Sequence, residues 1–424
     1  MPKTNRLTFL RREFIPVSES TRPQDLIHQT IEGQQGLLRA RPAIVERNSY
    51  SGTGLFADDH SAVPLDDMAT ADPRPGYRPV EWWIMSCVTA ENQIPRPGEG
   101  LTHLTLLDGS SVSLNKAFSA LAPAHIGTHG KAEDFGESWP LIKILDIGGD
   151  PVETDFGSHE RPPIPPHIHS GNIQDGKLIG PGKREAYFFL PNKEASGEAP
   201  AITRIDLRPG ITESQLVAAV KTFGSADAVY PLLNAYEARP FEGWSVPPRI
   251  LHAPGAITTV EMQTPQDDFN LLGWKLGKRL DREEKRQEWD DSVVRGLASA
   301  EELVAQGVAF RESDGSSLDP PVHHPAKVES PEPGIQRRQA FTPPFQGDYF
   351  AIDRGVHFRI EASDTPRAIA IWAGSGQANG ISISSRDWNQ RELFLAPGYP
   401  LDLRADGEGN VLEVLIFGPI VGPA

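Results

Sequence analysis

Short hydrophobic stretches separated by glycine and proline are the main pattern along this chain. In Ile202–Leu207 the apolar residues take every other or third position, as they do in a half-buried strand. Many short strands with frequent turn residues are typical of antiparallel β-sandwiches and barrels. The stretches that predict strands are Glu81–Val88, Leu101–Leu107, Ala186–Leu190, Ile202–Leu207, Ile257–Met262, Phe358–Ile360, Ala368–Trp372, Gly380–Ile383 and Val411–Phe417. The fold is therefore predicted to be mainly β.

Helical patterns are sparse. Thr212-Glu-Ser-Gln215 has the form of a capping box and precedes several apolar residues, so a helix is predicted over 212–223, ending at Gly224. The charged stretch from Asp281 to Gly307 predicts one or two surface helices. After it, residues 316–334 carry five prolines and no hydrophobic period, which indicates a linker or a long wrapping loop.

These patterns divide the chain into four segments. A length of 424 residues is enough for two or three domains at about 150 residues each. Residues 1–40 are predicted to form an N-terminal extension and residues 41–275 a large β-domain. A helical and Pro-rich connector is predicted over 276–335, and a second β-domain over 336–424.

Charge and composition exclude some classes of partner. The 41 Lys and Arg residues against 57 Asp and Glu residues give a formal net charge of −16. Binding to duplex nucleic acid needs a concentrated basic surface, so this composition argues against a nucleic-acid partner. No apolar run approaches the roughly 18 residues that a membrane span needs, so no membrane partner is expected.

The cysteine content and the first residues bear on the compartment. Cys87 is the one cysteine and therefore makes no internal disulfide, which fits a reducing compartment. The first residues carry charges where a signal peptide would need an apolar stretch. A cytoplasmic location is therefore expected, while the sequence gives no indication of the oligomeric state.

Three histidines and a glutamate form a candidate metal site. In a strand, residues two positions apart face the same side, so His167 and His169 can bind one cation while Ile168 faces away. Glu185 and His252 each begin another predicted strand after a Gly or Pro turn. This ligand set suits zinc, nickel, iron or manganese and does not choose among them. On spacing alone, a surface histidine pair remains an equal alternative.

Six stretches, in the same order along the chain, resemble motifs of the type I mannose-6-phosphate isomerase family, which belongs to the cupin superfamily. Each alone is a weak signal, but their shared order over about half of the chain makes the resemblance specific. The stretches are Glu81-Trp-Trp-Ile-Met-Ser86, Trp139-Pro-Leu-Ile-Lys-Ile-Leu-Asp146, Pro166-His-Ile-His-Ser170, Gly182-Lys-Arg-Glu-Ala-Tyr187, Val246-Pro-Pro-Arg-Ile-Leu-His-Ala253 and Val260-Glu-Met-Gln263 followed by Asp267.

The resemblance implies a fold of two cupin-type antiparallel β-sandwich (jelly-roll) domains joined by a short helical connector. Of these, 41–275 would be the metal-binding domain and 336–424 a cupin-like domain without metal. The implied metal ligands are His167, which stands where the family has glutamine, and the matching His169, Glu185 and His252. One divalent metal is implied, with zinc expected first and nickel, iron or manganese as alternatives.

The resemblance also bears on the groups that would contact substrate. Lys183 matches a lysine placed near the substrate, where it would orient or protonate it. The family's arginine falls here at Leu271, next to Asn270, and neither residue is a cation. Arg249 occupies the family's turn glycine and is a candidate anion contact, with an exposed turn arginine as the alternative.

The function implied by the resemblance is a metal-dependent aldose–ketose isomerase acting on a sugar or sugar phosphate through an enediol. Two alternatives stay open. Three histidines and a glutamate also hold iron in cupin oxygenases, and the missing arginine favours a non-catalytic sugar-binding relative. The expected partner is a small carbohydrate, and whether it carries a phosphate is left open.

Overall fold

The computed structural model describes residues 23–56, 74–120, 139–174, 177–179, 182–191, 200–310, 320–325, 327–406 and 409–421. Most of the predicted N-terminal extension, residues 1–22, lies outside them. None of the helices in the described ranges has the length and apolar character needed to cross a membrane.

Twenty-nine strands and five α-helices make up the described residues. The strands are β1 Leu37–Arg41, β2 Ala43–Arg47, β3 Arg78–Ile84, β4 His103–Thr105, β5 Ser111–Ser113, β6 Leu141–Leu145, β7 Val152–Glu153, β8 His159–Glu160, β9 His167–Ile168, β10 Asn172–Gln174, β11 Lys177–Ile179, β12 Glu185–Phe189, β13 Ile202–Leu207, β14 Leu233–Glu237, β15 Glu242–Val246, β16 His252–Ala253, β17 Thr259–Gln263, β18 Asn270–Leu271, β19 Val322–Pro325, β20 Val328–Glu329, β21 Ile335–Phe341, β22 Gly347–Asp353, β23 His357–Ile360, β24 Arg367–Ala373, β25 Ser375–Ala378, β26 Ile381–Ser384, β27 Glu392–Leu395, β28 Leu401–Arg404 and β29 Val411–Phe417. The helices are α1 Pro23–Gly33, α2 Leu114–Ala120, α3 Glu213–Val220, α4 Arg282–Glu288 and α5 Ala300–Gly307. A π-helical turn, Trp289–Val294, follows α4, and short 3₁₀ turns lie at Tyr230–Leu232 and Trp388–Gln390.

Two antiparallel sheets enclose the region of the candidate metal ligands. A seven-stranded sheet runs in the order β19-β15-β12-β17-β6-β3-β2, and a five-stranded sheet in the order β14-β13-β16-β9-β18. The outer face of the five-stranded sheet packs on the helices α3 and α5 through a buried apolar cluster that includes Ile168, Val220 and Leu303. As the alternation predicted, Ile168 faces this cluster, away from its two neighbouring histidines.

A second pair of sheets is built largely from the last third of the chain. A nine-stranded sheet runs β20-β21-β22-β29-β24-β27-β1-β4-β5, and a four-stranded sheet runs β23-β28-β25-β26. Their facing sides share a buried apolar cluster that includes Ile352, Phe358 and Leu403. The prediction of a mainly β fold with antiparallel sandwiches is therefore confirmed.

The largest apolar cluster lies between the seven-stranded and nine-stranded sheets. Trp82 and Phe188 of the former meet Trp372 and Phe394 of the latter within it. Helices α1 and α2 add residues to the same cluster, Ile27 among them. The molecule is therefore layered. Helices α3 and α5 form the first layer, and the five-stranded, seven-stranded, nine-stranded and four-stranded sheets follow in that order.

Two elements cross the predicted segment boundaries. The strand β1 lies between β27 and β4 in the nine-stranded sheet, so residues 37–41 pair with the last third of the chain. The strand β19, within the predicted connector, pairs with β15 at the edge of the seven-stranded sheet. The boundaries at 40, 275 and 335 remain predictions.

Candidate metal centre

Three buried histidines meet between the two sheets of the first sandwich. His167 on β9 lies directly opposite His252 on β16, because these two strands pair at that position. His169 follows one residue after the end of β9. The three residues His167, His169 and His252 are 6%, 4% and 1% exposed. One candidate ligand atom of each residue lies within 4.8 Å of the others.

Backbone carbonyls fix the tautomer of all three rings. Nδ1 of His167 lies 2.7 Å from Pro165 O, Nδ1 of His252 lies 2.7 Å from Ile250 O, and Nδ1 of His169 lies 2.5 Å from Asp268 O. A carbonyl oxygen only accepts, so each Nδ1 donates. In the neutral ring Nε2 is then left as an acceptor, which is the form that binds a metal ion.

Glu185 completes the group from the facing sheet. It begins β12, and its Oε1 lies 2.6 Å from His169 Nε2 while its Oε2 lies 3.4 Å from His252 Nε2. The turn before it is tight: Gly182 has a φ of 79°, and a Cβ there would collide with the carbonyl oxygen of His169. Glycine is therefore required where the chain passes the histidine loop and turns into β12.

The acceptor atoms of this cluster face one another. Nε2 of His169, Nε2 of His252 and Oε1 of Glu185 are buried and make no hydrogen bond of acceptable geometry. Burial lowers the pKa of His169 to about 4, against the opposing effect of the Glu185 charge. His169 Nε2 and Glu185 Oε1 are both acceptors and repel each other at 2.6 Å; Lys183 Nζ, 2.6 Å from the same Glu185 oxygen, offsets part of this repulsion, while Nε2 of His169 and Nε2 of His252 remain without a hydrogen bond. The donor set therefore fits a bound divalent metal.

The protonation states of the histidines and Glu185 are consistent with binding a metal ion. The pKa of His167 is well below its ordinary value, because of burial and then because of the neighbouring His252 and His169. Burial alone would raise the pKa of Glu185, but His169 and Lys183 outweigh it and hold that pKa well below the usual range. At neutral pH His167 and His169 are thus neutral imidazoles beside an ionised Glu185, and all three are able to donate electron pairs.

One face of the seven-stranded sheet carries a buried row of charged side chains next to this cluster. The register places Tyr187 opposite Glu261, Glu261 opposite Lys143, and Lys143 opposite Trp83. Residues two positions along share the same face, which adds Glu185 and Glu81 to it. The opposite face of these strands is apolar and packs into the cluster shared with the nine-stranded sheet.

A cavity of about 50 Å³ lies between the charged face and the histidines. Among its lining residues are His167, His169, Lys183, Glu261 and Leu271. A second cavity of about 480 Å³ adjoins it, since Arg47, Ser49 and Phe269 line both. The histidine cluster therefore lies next to a small inner cavity, which adjoins a larger outer cavity.

Arg47 is the centre of an ion-pair network on the floor of the cavity. Its Nε and Nη2 lie 3.0 and 3.1 Å from the two carboxylate oxygens of Glu81, and Nη2 also lies 2.9 Å from both oxygens of Asp267. Lys143 Nζ lies 3.3 Å from Asp267 Oδ1. Burial opposes ionisation of Asp267, but Arg47 and Lys143 lower its pKa, so the network is fully charged at neutral pH.

Among the described carboxylates that line the inner cavity, Glu261 alone has a raised pKa. Burial raises the pKa to about 7, with a further contribution from the Glu185 charge and opposing ones from Lys143 and Lys183. Its Oε1 makes no hydrogen bond and lies 4.0 Å from Lys143 Nζ and 3.9 Å from Lys183 Nζ. A carboxylate of this kind takes up and releases a proton near neutral pH.

Of the candidate substrate contacts, the structure brings Lys183 to the site and places Arg249 elsewhere. Lys183 Nζ lies 2.6 Å from Glu185 Oε1 and 2.8 Å from Gln263 Oε1. Arg249 donates its backbone N–H to His169 O, but its guanidinium lies 3.4 Å from Val308 O and lines a different cavity. Its φ of 67° is in the left-handed region that favours glycine, as its place in the turn motif suggested.

Sequence reasoning did not assign Arg47, Glu81, Lys143, Glu261 or Asp267 to the site. Four of them lie in or beside the motif stretches, so a signal was present. Their convergence depends on the pairing register of β2, β3, β6 and β17, which no local pattern determines. Arg47 lies outside every motif, and nothing in the sequence pointed to it.

Comparison with known proteins gives a fold likeness. A scan against models of protein families finds no match, and a search of curated proteins finds none. Among solved structures, the mannose 6-phosphate isomerase from Bacillus subtilis is similar with a TM-score of 0.54 and 16% identity, covering 90% of this chain and 99% of that one. A mutant phosphomannose isomerase from Salmonella typhimurium has a TM-score of 0.50 and 12% identity, covering 91% and 100%.

A mannose 6-phosphate isomerase solved with zinc and yttrium is also similar, with a TM-score of 0.50 and 13% identity, covering 90% of this chain and 99% of that one. The likeness spans nearly the whole of each protein, so it includes both sandwiches. The fold resemblance that six short motifs indicated is confirmed by these structures.

Proposed function

We propose that this protein is a metal-dependent aldose–ketose isomerase that interconverts a sugar or sugar phosphate through an enediol. The observation that carries the proposal is the meeting of His167, His169, His252 and Glu185, acceptor to acceptor, beside a cavity with a carboxylate of pKa about 7. The structural neighbours named as mannose phosphate isomerases support it.

Each chemical need of the reaction has a residue in the cavity. His167, His169, Glu185 and His252 would hold the metal, which when bound supplies a Lewis acid for the carbonyl and hydroxyl oxygens of the sugar. Glu261 would carry the proton between C1 and C2, because its pKa lies near the working pH. Lys183 lines the same cavity and would orient the substrate oxygens.

Fixed positive groups beside the cavity favour the development of negative charge on the sugar during the reaction. The cavity lies between two sheets, and the carboxylate and ammonium groups around it are held by their neighbours. Of these, the ammonium groups of Lys143 and Lys183 are positive and would stabilise a developing enediolate without reorganising. We further propose a cytoplasmic location, which the single cysteine supports.

An isomerase assay combined with elemental analysis tests the proposal. The purified protein is expected to contain about one divalent metal per chain and to interconvert mannose 6-phosphate or a free aldose with its ketose. A chelator should abolish turnover, and added metal should restore it. His169→Ala is expected to lose the metal and at least about 100-fold in kcat/KM. His323→Ala, an exposed histidine on β19, is the matched control and should retain both.

The other outcomes of this experiment are specific. Bound iron with sugar-dependent oxygen uptake would replace the isomerase by an oxygenase. Calorimetric binding of a sugar without any product would replace it by a binding protein. No metal-dependent turnover across a panel of aldoses and their 6-phosphates would contradict the proposal.

A further inference from the structure

Each described Lys or Arg side chain that lines the two adjoining cavities is already paired with a carboxylate of the protein. The inner cavity is lined by Arg47, Lys143 and Lys183, and the outer one by Arg47 and Arg295. No other Lys or Arg among the described residues lines either cavity. A positively charged partner for an anionic group of the substrate would have to be one of these four residues or the metal.

Each of these four cations is held by a carboxylate of the protein. Arg47 is shared by Glu81 and Asp267, and Lys143 lies 3.3 Å from Asp267. Lys183 lies 2.6 Å from Glu185. Arg295 Nη2 lies 3.1 Å from Glu91 Oε2, and its Nη1 donates to Phe269 O at 2.7 Å. Taking a cation from the inner pairs would leave a buried carboxylate unpaired, which is strongly unfavourable.

Negative charges outnumber positive ones along the same walls. Among the residues that the structure describes, six carboxylates line the two cavities: Glu81, Glu261 and Asp267 in the inner one, and Glu91, Glu288 and Asp291 in the outer one. With Glu185, which pairs with Lys183 and would also hold the metal, seven carboxylates stand against four cations and the two charges of a divalent metal, and protonation of Glu261 would at most balance the two sides. A phosphate monoester carries a charge of about −1.5 to −2 at neutral pH. It would therefore enter a space in which no positive charge is in surplus.

The remaining lining is suited to an uncharged ligand. Leu145, Ile164 and Leu271 give the inner cavity apolar surface, and Ser49 and Tyr50 add hydroxyl groups. In the outer cavity, Asn48, Asn92 and Gln93 contribute amides. Hydroxyl, amide and carboxylate groups beside apolar surface recognise the alternating hydroxyl and C–H groups of a sugar, without a group that requires phosphate.

From this charge balance we propose that the substrate of the site is an unphosphorylated aldose or ketose, and that the acidic outer cavity discriminates against sugar phosphates. The inference rests on the proposed isomerase function. It specifies the chemical class of the substrate.

Matched pairs of substrate test it. The metal-loaded protein is assayed on mannose and mannose 6-phosphate, and on glucose and glucose 6-phosphate, and binding of each is measured by calorimetry. The free sugar is expected to have a kcat/KM at least about 10-fold higher than its 6-phosphate, because like charges repel in the partly desolvated outer cavity. Raising the ionic strength from 10 mM to 300 mM should narrow the ratio, since exposed charges are screened.

A double variant identifies the source of the discrimination. Glu91→Gln with Asp291→Asn removes two negative charges and frees Arg295, so the ratio of kcat/KM for the phosphate to that for the free sugar should rise by about 10-fold. Asp290→Asn is the control, because Asp290 is exposed on the same helical turn and does not line the cavity. That variant should leave the ratio unchanged.

The outcomes separate this inference from the function on which it rests. Faster turnover of the 6-phosphates overturns the inference and leaves the isomerase intact. If no sugar is turned over, the isomerase proposal fails, and the dissociation constants still decide the charge preference. Tighter binding of the phosphate esters than of the free sugars would overturn it in that case.

Discussion

At the scale of single residues, the site depends on which groups are already paired. The buried Glu261 carboxylate has one oxygen without a hydrogen bond, whereas Glu81 and Asp267 beside it are saturated by Arg47. Neighbouring buried carboxylates of the cavity thus have opposite pKa shifts: that of Glu261 is raised, and that of Asp267 is lowered. A raised pKa suits a group that exchanges protons, and a lowered one suits a fixed charge.

The first prediction concerns Glu261. If its carboxylate is the base, it must lose its proton to act, so kcat/KM should rise as the pH increases through about 7. Glu261→Gln should lower kcat/KM by about 10²- to 10⁴-fold and remove this rise. The measurement is a pH–rate profile from pH 5.5 to 8.5 with metal content checked at each pH.

Glu242→Gln serves as the control for that profile. Glu242 lies on β15 of the same sheet, half-buried and paired with His323 outside the cavity, so the profile should persist. A Glu261→Gln variant with the wild-type rate and profile would assign the proton transfer to another group.

The ligands could be predicted from the sequence to different extents. His167 and His169 follow from the two-residue period of a strand, because that period alone puts both on one side. Glu185 and His252 were candidates from their places at predicted strand starts, and motif likeness supported them, since spacing in the chain does not determine distance in space. Arg47 could not be predicted, because its position depends on the bulge-containing pairing of β2 with β3.

At the scale of elements, a buried carboxylate links the two central sheets. Glu392 on β27 accepts a hydrogen bond from Trp82 Nε1 at 2.8 Å and one from the Met85 backbone N–H at 2.6 Å. Burial raises the pKa of Glu392 to about 7, and the bonds to Met85 and Trp82 act in the opposite direction. The nine-stranded sheet thereby contacts β3, the strand that carries Glu81 into the site.

The second prediction follows from this link. Glu392→Ala leaves two buried donors without acceptors, at a cost of about 1–3 kcal/mol for each donor. Urea denaturation should show a lower midpoint with an unchanged m value. Glu392→Gln keeps one acceptor and should give an intermediate loss. Glu361→Ala, at a mostly exposed glutamate, should change stability by less than about 0.5 kcal/mol, and an equal effect of the two alanine variants would contradict the prediction.

Elements with their own local signal could be predicted closely. β13 and β29 have the bounds that their apolar patterns indicated, and the capping box at Thr212 and Gln215 is present with both hydrogen bonds. α1 was not predicted, although Ile27 and Ile31 have helical spacing and are buried. β19 could not be read from its proline-rich sequence, because it exists through pairing with β15.

At the scale of the whole molecule, one apolar cluster joins the two sandwiches. Trp82, Ile142 and Phe188 of the seven-stranded sheet and Trp372 and Phe394 of the nine-stranded sheet belong to a single buried cluster. Chains with separate cores unfold in steps, whereas a shared core couples the parts. We therefore expect this chain to unfold as one unit despite its length.

The third prediction tests this coupling. Calorimetry should give a single transition, and metal release should occur within it. Phe394→Ala, in the nine-stranded sheet, removes a buried ring whose centroid lies 5.8 Å from the ring centroid of Phe118. The free energy of unfolding should fall by about 3–5 kcal/mol. The temperature of metal release should fall together with the unfolding temperature, although the substitution lies far from the histidines in the layer order.

Val328→Ala provides the comparison for that substitution. Val328 is exposed on β20 at the edge of the same sheet, so its loss should leave the transition nearly unchanged. Two resolved transitions, with metal release confined to the one that Phe394→Ala does not shift, would contradict this coupling.

The position of β1 has a consequence for biosynthesis. Arg39 Nη1 donates to Asn389 O across 350 residues of sequence, and Leu38 of β1 pairs with Phe394 of β27. At about 5–20 residues per second, the ribosome needs roughly 20–70 s to make that intervening chain. During translation, β1 must therefore wait with its pairing edge unsatisfied. A nascent chain of this protein is accordingly a candidate client for chaperones that shield exposed strands until its distant partner emerges.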